Sequence, residues 1–220
     1  MNIEPIARFR SPLSEKFGIP RQSGIVPELK GEIVLDEKYN REEALRGLEG
    51  FSHLWIIWGF DRNCQDRQAL TVRPPRLGGN ERLGVFATRS PFRPNGLGLS
   101  SVAIESIDFS DGIIHVCGAD LADGSPVYDI KPYVKYTDSH PDAVCGFVDD
   151  REWGKLEVVI PSEILDSLEL DADEEQALRG ILEQDPRPQY QNDEDKIYGL
   201  TFAGRNIRFR VIDSKLIVTN

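Results

Sequence analysis

Clusters and alternations of apolar residues predict a chain that is mostly β over its first 150 residues. Six segments are rich in Val, Ile, Phe and Trp and are bounded by Gly, Pro, Asn or Asp, as strands commonly are. These candidate strands are Ile3–Arg8, Gly31–Leu35, Leu54–Phe60, Leu83–Thr88, Leu99–Asp108 and Ile113–Ala119. They do not alternate with helices, which argues against a doubly wound sheet. Because many strands must hide their edges, we expect the sheet to close into a barrel.

Helical patterns are fewer. One short helix is predicted at Arg41–Leu48, where Asn40 can cap the first amide groups and Gly50 can end the helix. A longer amphipathic helix is predicted at Pro161–Glu183, with an interruption at Asp171–Glu175. Three further strands then follow as a meander with tight turns. These strands are Lys196–Phe202, Ile207–Ile212 and Lys215–Thr219.

The change of pattern near residue 150 predicts two domains in a mainly β protein. We expect a closed β-barrel N-terminal domain at residues 1–145 and a small α+β C-terminal domain at residues 150–220. The chain of 220 residues is 40% hydrophobic, which is enough for a substantial core.

Composition excludes several classes of protein. The longest apolar run, Leu54–Phe60, is far short of the roughly 20 residues that span a bilayer, so no membrane association is expected. Three widely spaced cysteines fit a reduced, cytoplasmic protein better than a disulfide scaffold. The three histidines show no metal-ligand spacing with each other or with the cysteines, so we expect no metal site.

Arginines are concentrated in one stretch of this acidic chain, whose formal net charge is −11. Residues 71–101 hold five arginines and one acid, Glu81, among many prolines and glycines. The five are Arg73, Arg76, Arg82, Arg89 and Arg93. Pro and Gly make stiff loops that let backbone approach a ligand closely, and Arg offers a planar fork of donors for carboxylate or phosphate. We interpret the stretch as an anion-binding loop, although any single arginine also suits an ordinary surface turn.

Three other segments carry candidate chemistry. Asp129, Lys131 and Tyr133 alternate, so a strand would point all three to one side, either as a reactive wall or as a solvated face. The loops KFGIPRQSG (residues 16–24) and QDPRPQY (residues 184–190) present polar side chains on proline-stiffened backbone. Each of these loops also fits an exposed turn.

Together these segments resemble the family of tRNA threonylcarbamoyladenosine N6-methyltransferases, which are single-β-barrel enzymes. The matching stretches are KFGIPRQSG, YNREEALRGLEGFSHLWIIW, TVRPPRLGGNERLGVFATRSPFRPNGLG, DLADGSPVYDIKPY and QDPRPQY, in order along both halves of the chain. The resemblance implies methyl transfer from S-adenosylmethionine to N6 of threonylcarbamoyladenosine, 3′ of the anticodon in threonine tRNA. It also implies a homodimer with cofactor pockets near the subunit interface.

The resemblance assigns residues to roles. The implied cofactor-binding residues are Arg21, Gln22, Ser23, Asp61, Arg62, Arg89, Leu99, Ala122, Asp123, Gly124 and Ser125. Physically, an arginine can hold the cofactor's carboxylate, Asp123 can accept from ribose hydroxyls, and Leu99 can face the adenine. The expected contacts to substrate and tRNA are Arg73, Arg76, Arg93, Asn95, Arg187 and Tyr190.

For the chemistry, we expect Asp129 to accept the proton released as the N–C bond forms, with Lys131 and Tyr133 positioning the base or its carboxylate. Two alternatives remain open on the residues alone. One is a non-catalytic RNA-binding module, which would not bind the cofactor. The other is an enzyme for a small phosphorylated metabolite, which would act without RNA.

Overall fold

The computed structural model describes residues 2–62, 70–74, 81–149, 154–187 and 193–219. Within these residues the strands, in chain order, are β1 (Ala7–Arg10), β2 (Lys30–Leu35), β3 (His53–Gly59), β4 (Thr71–Val72), β5 (Leu83–Gly84), β6 (Leu97–Asp108), β7 (Ile113–Cys117), β8 (Pro126–Pro132), β9 (Glu157–Val159), β10 (Tyr198–Phe202), β11 (Arg205–Ile212) and β12 (Lys215–Thr219). The helices are α1 (Glu42–Leu45), α2 (Lys135–Asp138), α3 (Ser162–Leu168) and α4 (Ala172–Glu183).

Six strands close into a barrel in the order β1-β2-β7-β6-β3-β8, and every neighbouring pair is antiparallel. Alternate side chains of β3 fill the barrel: Leu54 and Ile56 are fully buried. They pack with Phe9, Ile33 and Ile114 from the facing strands. The closed barrel predicted from the sequence is therefore confirmed, and it leaves these six strands without open edges.

The C-terminal part is a four-stranded sheet, ordered β10-β11-β12-β9, with α3 and α4 on one face. β10, β11 and β12 form the predicted meander, and β9 joins β12 in parallel. Its core also takes Leu13, Val26 and Leu29 from the segment between β1 and β2. The segment at residues 11–29 therefore belongs to both halves of the molecule, and the domain boundary near residue 150 stays a prediction.

Several predicted elements differ from the structure in their limits. The first strand begins at Ala7 instead of Ile3, since Pro5 has no amide hydrogen for a ladder. The predicted strand Leu83–Thr88 is wrong beyond Gly84. Val85–Ala87 form a 3-10 turn, in which the Thr88 hydroxyl donates to the Val85 carbonyl at 2.9 Å.

The predicted helix limits also change. α1 ends at Leu45 because Gly47 adopts a left-handed conformation, φ 92°, two residues beyond it. Asn40 is not its cap, since Arg41 occupies that position without a side-chain bond. The break in the long helix lies at residues 169–171, and β9 was not predicted. None of the described helices is long and apolar enough to cross a membrane.

A capping box begins α4. The Asp171 carboxylate accepts from the Glu174 amide at 2.8 Å, and the Glu174 carboxylate accepts from the Asp171 amide at 3.2 Å. These two bonds satisfy amides that the helix leaves without partners.

Replacing the cap tests this account. Asp171→Ala should cost about 1 kcal/mol of unfolding free energy, which lowers Tm by about 2–4 °C in a chain of this size. Asp166→Ala removes an equal charge at an exposed position of α3 that makes no cap, and it serves as the control. Equal losses in the two variants, measured by thermal unfolding, would contradict a specific capping contribution.

Candidate functional site

A cleft of about 780 Å³ opens beside the barrel, where β3 and β6 meet three loops. The loops are residues 16–22, 86–95 and 120–125, which bring together stretches far apart in the chain. Its size lies within the range of roughly 300–1,000 Å³ that small-molecule sites occupy. The cleft is therefore large enough for a nucleoside-sized ligand.

Aromatic rings form the inner wall of the cleft. Trp58 and Phe60 have ring centroids 4.3 Å apart in a tilted pair. Gly98, opposite Trp58 on β6, leaves room for the indole, since a Cβ there would lie 2.4 Å from the ring. The glycine in the LGLS segment is thus required by close packing, and the wall it permits is apolar.

A partly buried carboxyl group lies at the bottom of this wall. The Trp58 indole donates to the Ser100 hydroxyl at 2.9 Å, and that hydroxyl donates in turn to Asp120. Burial raises the pKa of Asp120 above its ordinary value, while the Ser100 hydrogen bond and the charge of Arg89 oppose this rise. Asp120 thus joins β3, β6 and the loop after β7 through one hydrogen-bonded chain.

Cations surround the mouth of the cleft. Arg62 donates to the carbonyl oxygens of Ser14 and Asp123, and it fixes the loop before β8 against the segment after β1. The Arg89 guanidinium donates to the Gln22 side chain, and Arg93 donates to the Thr88 carbonyl at 3.0 Å. Because Arg93 bonds to an uncharged group here, its positive charge remains available for an anionic ligand, whereas the charge of Arg89 also acts on Asp120.

A second cleft, of about 360 Å³, adjoins the first on the outer barrel wall. Trp55 and Leu99 line both clefts. The Trp55 ring lies 5.6 Å from Tyr133, and its indole donates to Asp138 at 2.9 Å. The backbone amide of Val134 also donates to Asp138, and together these bonds lower the pKa of that carboxyl. The aromatic platform is thus held in place by a fixed acceptor.

The predicted reactive side chains lie beside this second cleft. On β8, Asp129 pairs with Lys131 at 3.1 Å, and Lys131 lines the cleft. Tyr133 follows β8 and packs against Trp55. The alternation therefore does bring the three side chains to one side, on the outer wall rather than the barrel interior.

Comparisons with known proteins found matches to both parts of the chain. The family model for the N-terminal domain of tRNA-methyltransferase O matches residues 8–139, and the TrmO C-terminal domain matches residues 154–220. The chain belongs to the TrmO family. A tRNA (adenine(37)-N6)-methyltransferase of Escherichia coli is 43% identical over 96% of this chain and 93% of its own length.

Other comparisons agree with this family. A human protein of the same name is 41% identical over 62% of this chain, which spans 31% of that protein. A putative S-adenosylmethionine-dependent methyltransferase of Pseudomonas aeruginosa is 43% identical over 88% of this chain and 84% of its own length. A crystal structure of TrmO superposes with a TM-score of 0.80 at 31% identity, covering 99% of this chain and 97% of that one.

Most cofactor residues that the TrmO resemblance implied lie together in the first cleft. The residues that line it are Arg21, Gln22, Asp61, Arg62, Arg89, Leu99, Ala122 and Ser125. The other three lie behind that lining. The Asp123 carboxylate accepts from the Ser11 amide, Gly124 lies against Arg62, and the Ser23 amide faces Asp120. Their roles remain predictions.

The expected tRNA contacts are more scattered. Arg93 and Asn95 line the first cleft, and Arg73 is exposed just beyond β4. Arg187 instead makes a bidentate pair with Asp185, at 2.8 and 2.9 Å. Arg76 and Tyr190 lie outside the described residues.

Four residues of the clefts were not predicted from the sequence: Ser100, Asp120 and the tryptophans Trp55 and Trp58. The tryptophans were noticed only as strand residues, and their opposite orientations required the register of β3. Asp120 begins the stretch DLADGSPVYDIKPY, but its surroundings follow only from the hydrogen bonds that connect Trp58 to Ser100 and Ser100 to Asp120. No group of three or more potential metal-ligating side chains occurs among the residues that the structure describes.

The raised pKa of Asp120 makes a pH-dependent prediction. Burial favours the protonated carboxyl in the folded state, so its ionisation destabilises the fold as the pH rises above the ordinary value of 3.8. Asp120→Asn keeps an acceptor for Ser100 and removes that cost. We expect its Tm to exceed the wild-type value at pH 7 by about 2–4 °C, if about 1 kcal/mol is relieved.

This gain should shrink as the pH is lowered toward 4, because the wild-type carboxyl then becomes neutral. Asp111→Asn, in an exposed turn, removes the same charge and provides the control. A gain for Asp120→Asn that stays constant with pH would contradict the burial account.

Proposed function

We propose that this chain transfers a methyl group from S-adenosylmethionine to N6 of adenosine 37 in tRNA. The observation that carries the proposal is membership of the tRNA-methyltransferase O family over both parts of the chain. The relatives that share its length or its barrel have names that state this reaction. The two adjoining clefts provide one site for a cofactor and one for a base.

The first cleft fits S-adenosylmethionine. Its apolar wall of Trp58, Phe60 and Leu99 suits an adenine ring, and the guanidinium groups at its mouth suit a carboxylate. When bound, the cofactor supplies a methyl group that is already activated on a sulfonium. The protein then mainly has to hold the accepting nitrogen in line with that methyl group.

The second cleft suits the target base. Trp55 and Tyr133 offer a stacking platform for an unstacked purine, which is how proteins commonly hold single-stranded RNA bases. We infer that the base carries a threonylcarbamoyl group, whose carboxylate Lys131 or His140 can meet at the same cleft. Reading that carboxylate would favour the modified base, since plain adenosine has no anionic group for a cation at this cleft to bind. Threonine tRNA is the proposed substrate.

Asp129 is the proposed proton acceptor. N6 loses a proton as the new N–C bond forms, and a carboxylate beside the base can take it. The Lys131 ammonium group, 3.1 Å from the carboxylate, fixes the position of that oxygen. Tyr133 packs directly against Trp55 and so helps to position the base that this ring would hold.

We also propose a homodimer that works in the cytoplasm, where tRNA is modified. Large apolar side chains are exposed near the clefts, in α2 and in the segment after it, which supports a partner surface. These are Phe86 at 78% exposure, Leu99 at 57%, and Tyr136 and Val144 at 90% each.

The decisive test is transfer of labelled methyl to threonine tRNA. We expect methylation of tRNA that bears the threonylcarbamoyl group and at least about 100-fold less on a transcript without it, because plain adenosine lacks the carboxylate and amide groups that the site would hold in place. Methylation of neither, with cofactor bound, would overturn the proposed substrate. A chain that binds RNA but does not bind S-adenosylmethionine would favour a non-catalytic module. Activity on a small phosphorylated metabolite without RNA would favour the other alternative.

Removing the proton acceptor tests the mechanism. Asp129→Asn should lower kcat by about 100-fold or more, while the Kd for S-adenosylmethionine stays within about twofold of wild type. Asp142→Asn, an exposed carboxylate beyond α2, is the matched control. Full turnover by Asp129→Asn with normal cofactor binding would eliminate this role.

A further inference from the structure

The sheet of the C-terminal part has one face that no described element covers. Its inner face packs Ile207, Phe209 and Val211 of β11 under α3 and α4. Alternation therefore turns Asn206, Arg208 and Arg210 of the same strand outward, and all three are exposed. We call the outward side of β10, β11, β12 and β9 the open face.

The two arginines of the open face have no partner within the described part of the chain. Most cations of this half do form ion pairs: Lys155 with Glu183, Arg179 with Glu175, Arg187 with Asp185, Arg205 with Glu174 and Lys215 with Glu157. Neither Arg208 nor Arg210 makes such a pair or a side-chain hydrogen bond with the described residues, although the chain carries a net charge of −11. Unpaired guanidinium groups on an acidic protein indicate an anionic partner.

Charge is segregated between the two faces of this sheet. The helical side carries most of the local acids, including Glu163, Asp166, Asp173 and Glu175, on α3 and α4. On the open face, Glu157 is paired with Lys215 at one edge, and Glu15 meets Thr201 at 3.3 Å at another. The arginines of β11 lie between these edges, on the strand that carries no acid of its own.

We propose that the open face binds the phosphate backbone of tRNA through Arg208 and Arg210. Their Cα atoms lie about 7 Å apart on one strand, so both guanidinium forks project in the same direction onto one partner. Each fork can hold a phosphate in bidentate fashion.

The composition of the open face favours backbone contact over base recognition. The described outward positions around the arginines are Gly199, Thr201, Asn206, Ile217, Thr219 and Val159. None carries an aromatic ring on which a base would stack, whereas Gly199, Thr201 and Asn206 beside the arginines are small or polar and let a backbone approach closely. The face would therefore add affinity and orientation for tRNA without reading its sequence.

The inference rests on the proposed function for the identity of the RNA, and it is tested by binding. Fluorescently labelled threonine tRNA is titrated with the full-length chain at salt concentrations from about 50 to 200 mM. Arg208→Gln/Arg210→Gln should raise Kd by about 10- to 100-fold and reduce the salt slope by about two, because two phosphate contacts are lost. The Kd for S-adenosylmethionine should not change.

Two matched variants complete the experiment. Lys155→Gln/Arg179→Gln removes the same charge from the helical side and should raise Kd less than threefold. Arg208→Lys/Arg210→Lys keeps the charge but not the fork, so it should restore the salt slope and part of the lost affinity, which shows that the face is intact.

The outcomes separate the two proposals. A wild-type chain that methylates tRNA, with unchanged Kd and salt slope in Arg208→Gln/Arg210→Gln, overturns the open-face inference alone. A change of oligomer mass instead of tRNA affinity, measured by light scattering, overturns it as well and assigns the face to a second copy. If the wild-type chain transfers no methyl group, the proposed function fails, and the tRNA titration still decides the open face.

Discussion

The two sides of β3 have different surroundings, and the rest of the molecule depends on this difference. Hydrogen bonding to β6 and β8 on both edges fixes the register, so Leu54 and Ile56 turn into the barrel while Trp55 and Ile57 turn out. One strand thus supplies the core and the wall of the second cleft. A slip of one residue would exchange the two sets and lose both at once.

The pairing register of β3 with β8 shifts by one residue between Ile57 and Trp58, beside the first cleft. Ile57 pairs with Asp129, but Trp58 pairs with Val127, so Tyr128 is an extra residue in β8. Such bulges bend a strand and redirect its side chains. Gly59 makes this possible, because a Cβ there would lie 2.8 Å from the Tyr128 ring. Packing at Gly59 and Gly98 together lets the barrel present an aromatic wall to a ligand.

The segment between β1 and β2 connects this wall to the C-terminal part. Leu13 and Val26 are buried in the C-terminal core, whereas Arg21 and Gln22, between them in sequence, line the first cleft. Gly180 of α4 gives Val26 its space, since a Cβ there would lie 2.8 Å from it. The core of one half therefore holds a loop of the site in the other half. Loss of packing around Val26 should therefore change the positions of Arg21 and Gln22 at the cleft, although Val26 itself does not line it.

Sequence patterns predicted the elements of the fold better than they predicted the site. Period-two segments and turn residues identified most strands, because burial on one face leaves a direct trace in the sequence. The closing pairs of the barrel left no such trace, and neither did the partners of Trp55, Ser100 and Asp120. These contacts join residues far apart in the chain. Only the register of β3 with β6, together with the position of the loop after β7, brings them together.

The first arginine-rich stretch was singled out by composition alone, whereas Arg208 and Arg210 were not predicted to bind anything, although they follow Arg205 closely in the sequence. Only the sheet distinguishes these arginines: Arg208 and Arg210 turn outward from β11, whereas Arg205 pairs with Glu174 on the helical side, where α3 and α4 carry their acids.

This separation matters more than the net charge. Exposed charges act over about 8 Å at physiological ionic strength, which is less than the thickness of a sheet with its helices. A polyanion close to the arginines therefore senses their field while the helical acids are largely screened. Those acids instead disfavour the opposite approach, so an acidic protein can select one orientation of an acidic partner.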